Sequence, residues 1–242
     1  MNMHTAPDAM TYSAHDLLWV ADADALAATA PLPPWATTDW LASAPVVVRR
    51  EMVAIGGAIP VGLRGAARNE RHKTYLARTA VMRCAKPEML MQIAVKNGTM
   101  VTENVAALCA LRTLVPRLDA TGLIWGPTGG VGFALASGLP VLRSDSDLDL
   151  VVRADSPLTN NETKALRAMS SFVTCRLDMQ IETGHGAFSL AEWASGHRRV
   201  LLKTDSGPFL TDDPWNQGHW LEAQSGRKYQ QEQTLREWER PA

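Results

Sequence analysis

Apolar and β-branched residues recur along the chain in short runs, most of them closed off by glycine or proline. Val46-Val47-Val48 and Ile59 to Leu63 read as strands on that basis. Thr37 to Ser43 reads as a short helix stopped at Pro45, after a break around Pro31, Pro33 and Pro34. Pro87 sits where a helix begins, and Thr102 is placed to N-cap a longer one carrying Val105, Leu108, Leu111 and Val115 at helical spacing. Beyond it the pattern alternates. Strands are expected at Leu123-Ile124-Trp125, Leu148 to Val152, Thr174 to Glu182 and Val200-Leu201-Leu202. Helices are expected at Phe133 to Ala136, Asn161 to Ser171 and Ala187 to Ala194, with a polar surface helix over Gln224 to Glu239. Helices interleaved with strands predict an α/β (α+β) chain. Its division is expected near residue 90, giving a smaller α+β domain over 1–90 and a mixed sheet with flanking helices over 91–242.

Composition narrows the function classes. The chain has 242 residues, 24 basic and 25 acidic, for a net charge of −1. A general nucleic-acid binder needs a clustered basic excess to displace counterions, so none is expected here, although a local basic patch stays open. Cys84, Cys109 and Cys175 are odd in number and lack C-x-x-C spacing, which points to reduced thiols and a cytoplasmic setting. No signal peptide is evident. Residues 120–142 carry no charge, but six glycines and two prolines punctuate them and DSDLD follows directly, so a folded turn region is expected and no membrane span.

The run Ser144-Asp145-Ser146-Asp147-Leu148-Asp149-Leu150-Val151-Val152 carries the chemistry. Side chains two apart on a strand share a face, so Asp147 and Asp149 point together while Leu148 and Leu150 turn to the core. Paired carboxylates repel, and a divalent cation between them resolves the repulsion. An EF-hand loop is excluded, since its glycine position would hold Leu150 and its final glutamate position Ser156. A solvated strand end is the plain competitor.

The order strand, glycine-rich turn (Gly126-Pro127-Thr128-Gly129-Gly130), short helix and D-x-D strand resembles the nucleotidyltransferase superfamily. Glycines in that turn let backbone N–H groups approach a phosphate chain. The superfamily's third carboxylate would come from a neighbouring strand. Asp178 fits it, because Leu177, Met179 and Ile181 alternate away from Asp178, Gln180 and Glu182. The superfamily prefers Gly-Ser where this chain has Gly129-Gly130, so the hydroxyl contact is lost or comes from Thr128.

A narrower likeness covers His15 to about Trp215. His15-Asp16-Leu17-Leu18-Trp19, Val61-Gly62-Leu63-Arg64-Gly65 with Arg68 and Arg71, GPTGGVGFALASG before SDSDLDLVVR, and DMQIETGHGAFSLAEWA together resemble the phosphoribosyl-dephospho-CoA transferases of bacterial malonate decarboxylase. The resemblance implies a nucleotidyltransferase-like C-terminal domain. It implies transfer of phosphoribosyl-dephospho-CoA from 2′-(5″-triphosphoribosyl)-3′-dephospho-CoA to a serine of the apo acyl carrier protein, with diphosphate leaving. Mg²⁺ or Mn²⁺ would be held by Asp147, Asp149 and Asp178, and a second ion by Asp147 and Asp149. Gly126, Thr128, Gly129 and Gly130 would bind the substrate.

Arg64, Arg68 and Arg71 would lie on one face of a helical turn, where bidentate guanidinium groups suit the departing diphosphate; a solvated basic face balanced by Glu70 is the alternative. His15 and His185 stay outside the catalytic set, and Trp19 and Trp125 are read as packing residues. Two other readings remain at this stage. One is a metal-dependent enzyme moving AMP onto a protein or small molecule, or serving the equivalent citrate lyase carrier protein. The other is a binding module that has lost catalysis, against which three intact carboxylates argue.

Overall fold

A computed structural model describes residues 11–27, 31–52, 58–97, 105–196 and 198–216. Six short strands build the first sheet: β1 (Leu17–Val20), β2 (Leu26–Ala27), β3 (Val46–Val48), β4 (Ala58–Arg64), β5 (Arg71–Ala77) and β6 (Val81–Ala85). They run in the order β2-β5-β4-β3-β1-β6, every neighbouring pair antiparallel. One face buries Leu18, Val46, Val48, Ile59, Val61, Leu63 and Leu76, closed by Leu41 of α1 (Thr38–Ser43). The Thr37 hydroxyl accepts from the Trp40 N–H and caps that helix.

The second sheet follows α2 (Leu90–Asn97) and α3 (Ala106–Asp119). Its strands are β7 (Ile124–Pro127), β8 (Leu148–Arg153), β9 (Leu177–Glu182), β10 (Ala187–Ser189), β11 (Val200–Thr204) and β12 (Gly207–Thr211), in the order β12-β11-β10-β9-β8-β7. Only β8 and β9 pair in parallel, so the sheet is mixed. Leu148, Leu150, Val151 and Val152 are all buried, which places β8 as an interior strand with both faces covered. α4 (Gly129–Ser137) connects β7 to β8, and α5 (Asn160–Ala168) connects β8 to β9 behind a Thr159–Glu162 capping box. These elements form the mixed, two-sheet α+β architecture expected.

Several expectations change. Arg64, Arg68 and Arg71 do not share a helical turn: β4 and β5 form a hairpin, and Arg64 and Arg71 sit directly opposite each other. Glu70 drives this, because its carboxylate accepts from the Ala67 N–H at 2.8 Å and its carbonyl accepts from the Gly65 N–H at 3.0 Å, closing the turn. Residues 187–194 are not one helix, since Ala187 and Phe188 are fully buried and pair with β9 before α6 (Leu190–Ala194) begins. Strand β9 starts at Leu177, three residues later than expected. α3 begins behind Val105, and Thr102 lies outside the described residues, as does the Gln224 to Glu239 segment. Among the described residues no disulfide joins the cysteines, and no helix is long and apolar enough to cross a membrane.

The two sheets share packing. Leu17 and Ala85 cluster with Leu90 and Ala136, and Ala44 clusters with Phe133 and Val141. The Arg50 guanidinium pairs with the Glu182 carboxylate, the Arg153 guanidinium donates to Glu88 at 3.1 Å, and the Met52 N–H donates to the Asp205 carbonyl at 2.7 Å.

Candidate active site

A cavity of about 670 Å³ opens between the sheets and takes walls from both. The second sheet supplies the acidic end. Strand β8 carries Asp149 and is immediately preceded by Asp147; both line the cavity. The Thr128 N–H donates to the Asp149 carbonyl at 2.9 Å, tying the start of α4 to β8. Gly129 has φ +56, and a Cβ there would fall 1.9 Å from Asp149 Oδ2, so only glycine allows this approach. α4 begins with Thr128 extended and no side-chain cap, and Thr128, Gly129 and Gly130 at that uncapped start line the cavity.

The first sheet supplies most of the cations. Arg49, Arg64, Arg68, Arg71 and Lys73 line the cavity together with Arg143 from the loop before β8. Arg64 is the most confined: its guanidinium lies 5.4 Å from the Phe133 ring centroid, and its buried Nε has no hydrogen-bond partner among the described residues. Burial, reinforced by Arg71 and opposed by Asp149, pushes its pKa down to about 10, so it stays charged at neutral pH. A half-buried guanidinium with an unpartnered N–H has the chemistry to take an anion. Arg68 is exposed and stands 3.9 Å from both Asp145 and Asp147, and Arg143 is 3.4 Å from Asp145. Among the described residues Glu70 forms no ion pair with these arginines; its carboxylate accepts from the Ala67 N–H of its own turn.

Asp178 sits beside Asp149 in the parallel register of β8 and β9, but it is not on the cavity wall. Burial first, then Asp178 and Asp147, raises the Asp149 pKa above its ordinary value. Three hard-oxygen donors repelling one another suit Mg²⁺ or Mn²⁺ in chemistry. Their carboxylates are not drawn together, however: among the described residues no three His, Cys, Asp or Glu side chains form a group able to hold a metal ion. Charge repulsion acts over longer distances than ligation, so the two observations are compatible. Gly126 also departs from its expected place. It is buried off the cavity, where a Cβ would fall 2.1 Å from the Pro87 backbone, and it lets the two halves close together.

The structure adds residues that the sequence reading left out. His15 lines the cavity with φ +74, the one non-glycine residue with positive φ among those described. Burial, with Arg50, Arg153 and Lys203, lowers its pKa to about 4, so it is a neutral imidazole. His72 also lines the cavity with a buried, unpartnered Nε2. The His15-Asp16 pair was a visible signal, since Asp16 is fully buried behind it. Arg49, Lys73 and Arg143 had no local signature.

Comparison with known proteins gives the family. Residues 13–87 match the profile described as the phosphoribosyl-dephospho-CoA transferase MdcG N-terminal domain, and residues 92–214 match the corresponding C-terminal domain. The chain belongs to the phosphoribosyl-dephospho-CoA transferase family. A phosphoribosyl-dephospho-CoA transferase of Azotobacter vinelandii is 44% identical over 207 residues, covering 84% of this chain and 94% of the relative. One from Pseudomonas putida (strain GB-1) is 41% identical, covering 83% of this chain and 94% of its own. A Klebsiella pneumoniae (strain 342) relative is 42% identical, with 84% and 95% coverage. No solved structure matches the chain. As a member of this family the protein is a transferase enzyme acting with phosphoribosyl-dephospho-CoA.

Proposed function

We propose that the enzyme takes 2′-(5″-triphosphoribosyl)-3′-dephospho-CoA and joins its phosphoribosyl-dephospho-CoA portion to a serine of the apo acyl carrier protein of malonate decarboxylase, in the cytoplasm. The serine oxygen would bond to the phosphorus nearest the added ribose, and the bond from that phosphorus to the next phosphate would break, releasing diphosphate. One observation carries this reading: a single cavity sets six cationic side chains and the uncapped start of α4 against the Asp147–Asp149 pair. The cations would hold the substrate's phosphates, with Arg64, Arg68, Arg71 and Arg143 and the N–H groups on the triphosphate and the leaving diphosphate, which is where catalysis of phosphoryl transfer resides. Asp147, Asp149 and Asp178 would hold Mg²⁺ or Mn²⁺, which supplies charge neutralisation and a more acidic hydroxyl. Residues 1–90 and 91–242 are taken as the two cooperating units, the first supplying cations and the second carboxylates.

Intact-mass analysis of the apo carrier protein, incubated with enzyme, divalent cation and either the triphosphoribosyl precursor or ATP, tests the reading. A mass gain with the precursor, matched by diphosphate release, is expected. A gain only with ATP would replace it by AMP transfer, and modification of a citrate lyase carrier protein alone would move the partner.

A further inference from the structure

We infer that Arg49 and Lys73, on either side of Gly62, form a second anion subsite that binds the internal diphosphate of the dephospho-CoA portion and so selects this substrate over an ordinary nucleoside triphosphate. The inference rests on the transfer reaction proposed above and specifies which residues read its donor. The cavity's cations fall into two groups. Arg64 lies over the Phe133 ring and against Gly130 at the start of α4, whereas Arg49 runs over Gly62 and pairs with Glu51. The two groups line one cavity with different neighbours.

Sheet register explains how the second group is made. Val47 of β3, Gly62 of β4 and Lys73 of β5 lie side by side in one row. Side chains two apart share a face, so Arg49 projects beside Val47 on the same face as Lys73. Gly62 has no side chain between them, and a Cβ there would lie 3.5 Å from the Arg49 Cδ. The Arg49 side chain thus runs over the glycine, a path that a larger residue there would close. Its guanidinium is steadied by Glu51, which in turn accepts from the Tyr75 hydroxyl at 2.6 Å. One glutamate against an arginine and a lysine leaves the group net positive.

The donor substrate carries two separate anions, a terminal triphosphate and a diphosphate diester within the coenzyme moiety. A nucleoside triphosphate carries only the first. The Arg64 group beside the carboxylates answers the triphosphate, and the Arg49–Lys73 group has the charge and separate placement to answer the diester.

Transfer kinetics of the full chain test this, with inorganic diphosphate as a competing inhibitor. The Arg49→Ala/Lys73→Ala variant should raise the KM for the triphosphoribosyl precursor at least tenfold, with the inhibition constant for inorganic diphosphate and the KM for carrier protein unchanged. Lys73 is exposed, so Lys73→Gln keeps the test valid if the double variant folds poorly, and should raise that KM at least threefold. Gly62→Val, whose branched side chain would meet the Arg49 side chain and displace it, should have the same selective effect. Transfer by the wild type with an unaltered precursor KM in all three variants would overturn the inference alone. Weakened diphosphate inhibition would assign both cations to the triphosphate group, and a raised carrier-protein KM would make them a docking surface; either result overturns it. No transfer by the wild type would overturn the proposed reaction itself, and the subsite with it.

Discussion

Replacing His15 by Asn should remove a defined part of the acid sensitivity of folding. The imidazole is held near a pKa of about 4 by burial and by Arg50, Arg153 and Lys203, against 6.5 when unperturbed. A base whose folded pKa is depressed binds more protons when unfolded, so its stabilising contribution is complete above about pH 6.5 and is lost as the pH falls toward about 4. The full window is worth about 3 kcal/mol, and the part between about pH 7.5 and about pH 5 is worth about 2 kcal/mol. Asparagine tolerates the left-handed backbone at φ +74, so the variant keeps the local conformation and loses only the titration. Asp16 and Asp149, whose pKa values are raised, work in the opposite direction, gaining relative stability as they protonate, but both are present in each protein. Urea unfolding across that range should therefore show the wild type losing about 2 kcal/mol more than His15→Asn, roughly a 1 M difference in midpoint shift. Parallel pH profiles for the two proteins would refute the buried neutral imidazole.

Asp147→Asn or Asp149→Asn should leave less than about a tenth of transfer activity with the far-ultraviolet circular dichroism unchanged, as loss of a shared charged ligand normally does; intact-mass assay of the carrier protein reads this directly. Arg64→Ala should raise the precursor KM by roughly ten- to a hundredfold, the loss of one desolvated charged contact of about 1.5–3 kcal/mol, and should weaken inhibition by inorganic diphosphate in steady-state assays. Gly129→Ala should lower the thermal midpoint and abolish transfer together, since its Cβ would lie 1.9 Å from Asp149 Oδ2 and the backbone there has positive φ; a variant with wild-type melting and activity would contradict the close approach.

Much of the acidic end was legible because its determinants are local. Leu148 and Leu150 are fully buried while Asp147 and Asp149 line the cavity, as period-two alternation requires. The glycine turn was equally plain, though Gly126 turned out to serve the contact with Pro87 and not the cavity. The arginines misled because a spacing of four then three fits a helix as well as it fits a hairpin whose two ends meet. What decided between them was Glu70 folding back on its own turn, a contact that spacing does not reveal. Residues 187–194 misled for a different reason: burial of Phe188 against β9 overrides a helical local pattern. Arg49 and Lys73 are brought together through the pairing of three strands, and nothing within a few residues of either announces it.

The split of charges between the two sheets has a physical logic. Cations carried beside Asp147 and Asp149 on their own strand would pair with them, and even from the hairpin Arg68 comes within 3.9 Å of Asp147. Carrying Arg64 and Arg71 on a separate hairpin, with Glu70 turned away into the backbone, leaves them available to a polyanion. The arrangement costs stability, because Arg64 is half-buried beside like charges with an unpartnered Nε and its pKa is depressed to about 10. On the proposed reaction, an entering triphosphate would relieve that cost and turn unfavourable electrostatics into a source of selective binding. The same reasoning explains the packing between the sheets. Catalysis by a site divided in this way requires a fixed relation between hairpin and carboxylates, and Gly126 against Pro87, Arg153 to Glu88 and Arg50 to Glu182 hold that relation from outside the cavity's acidic end.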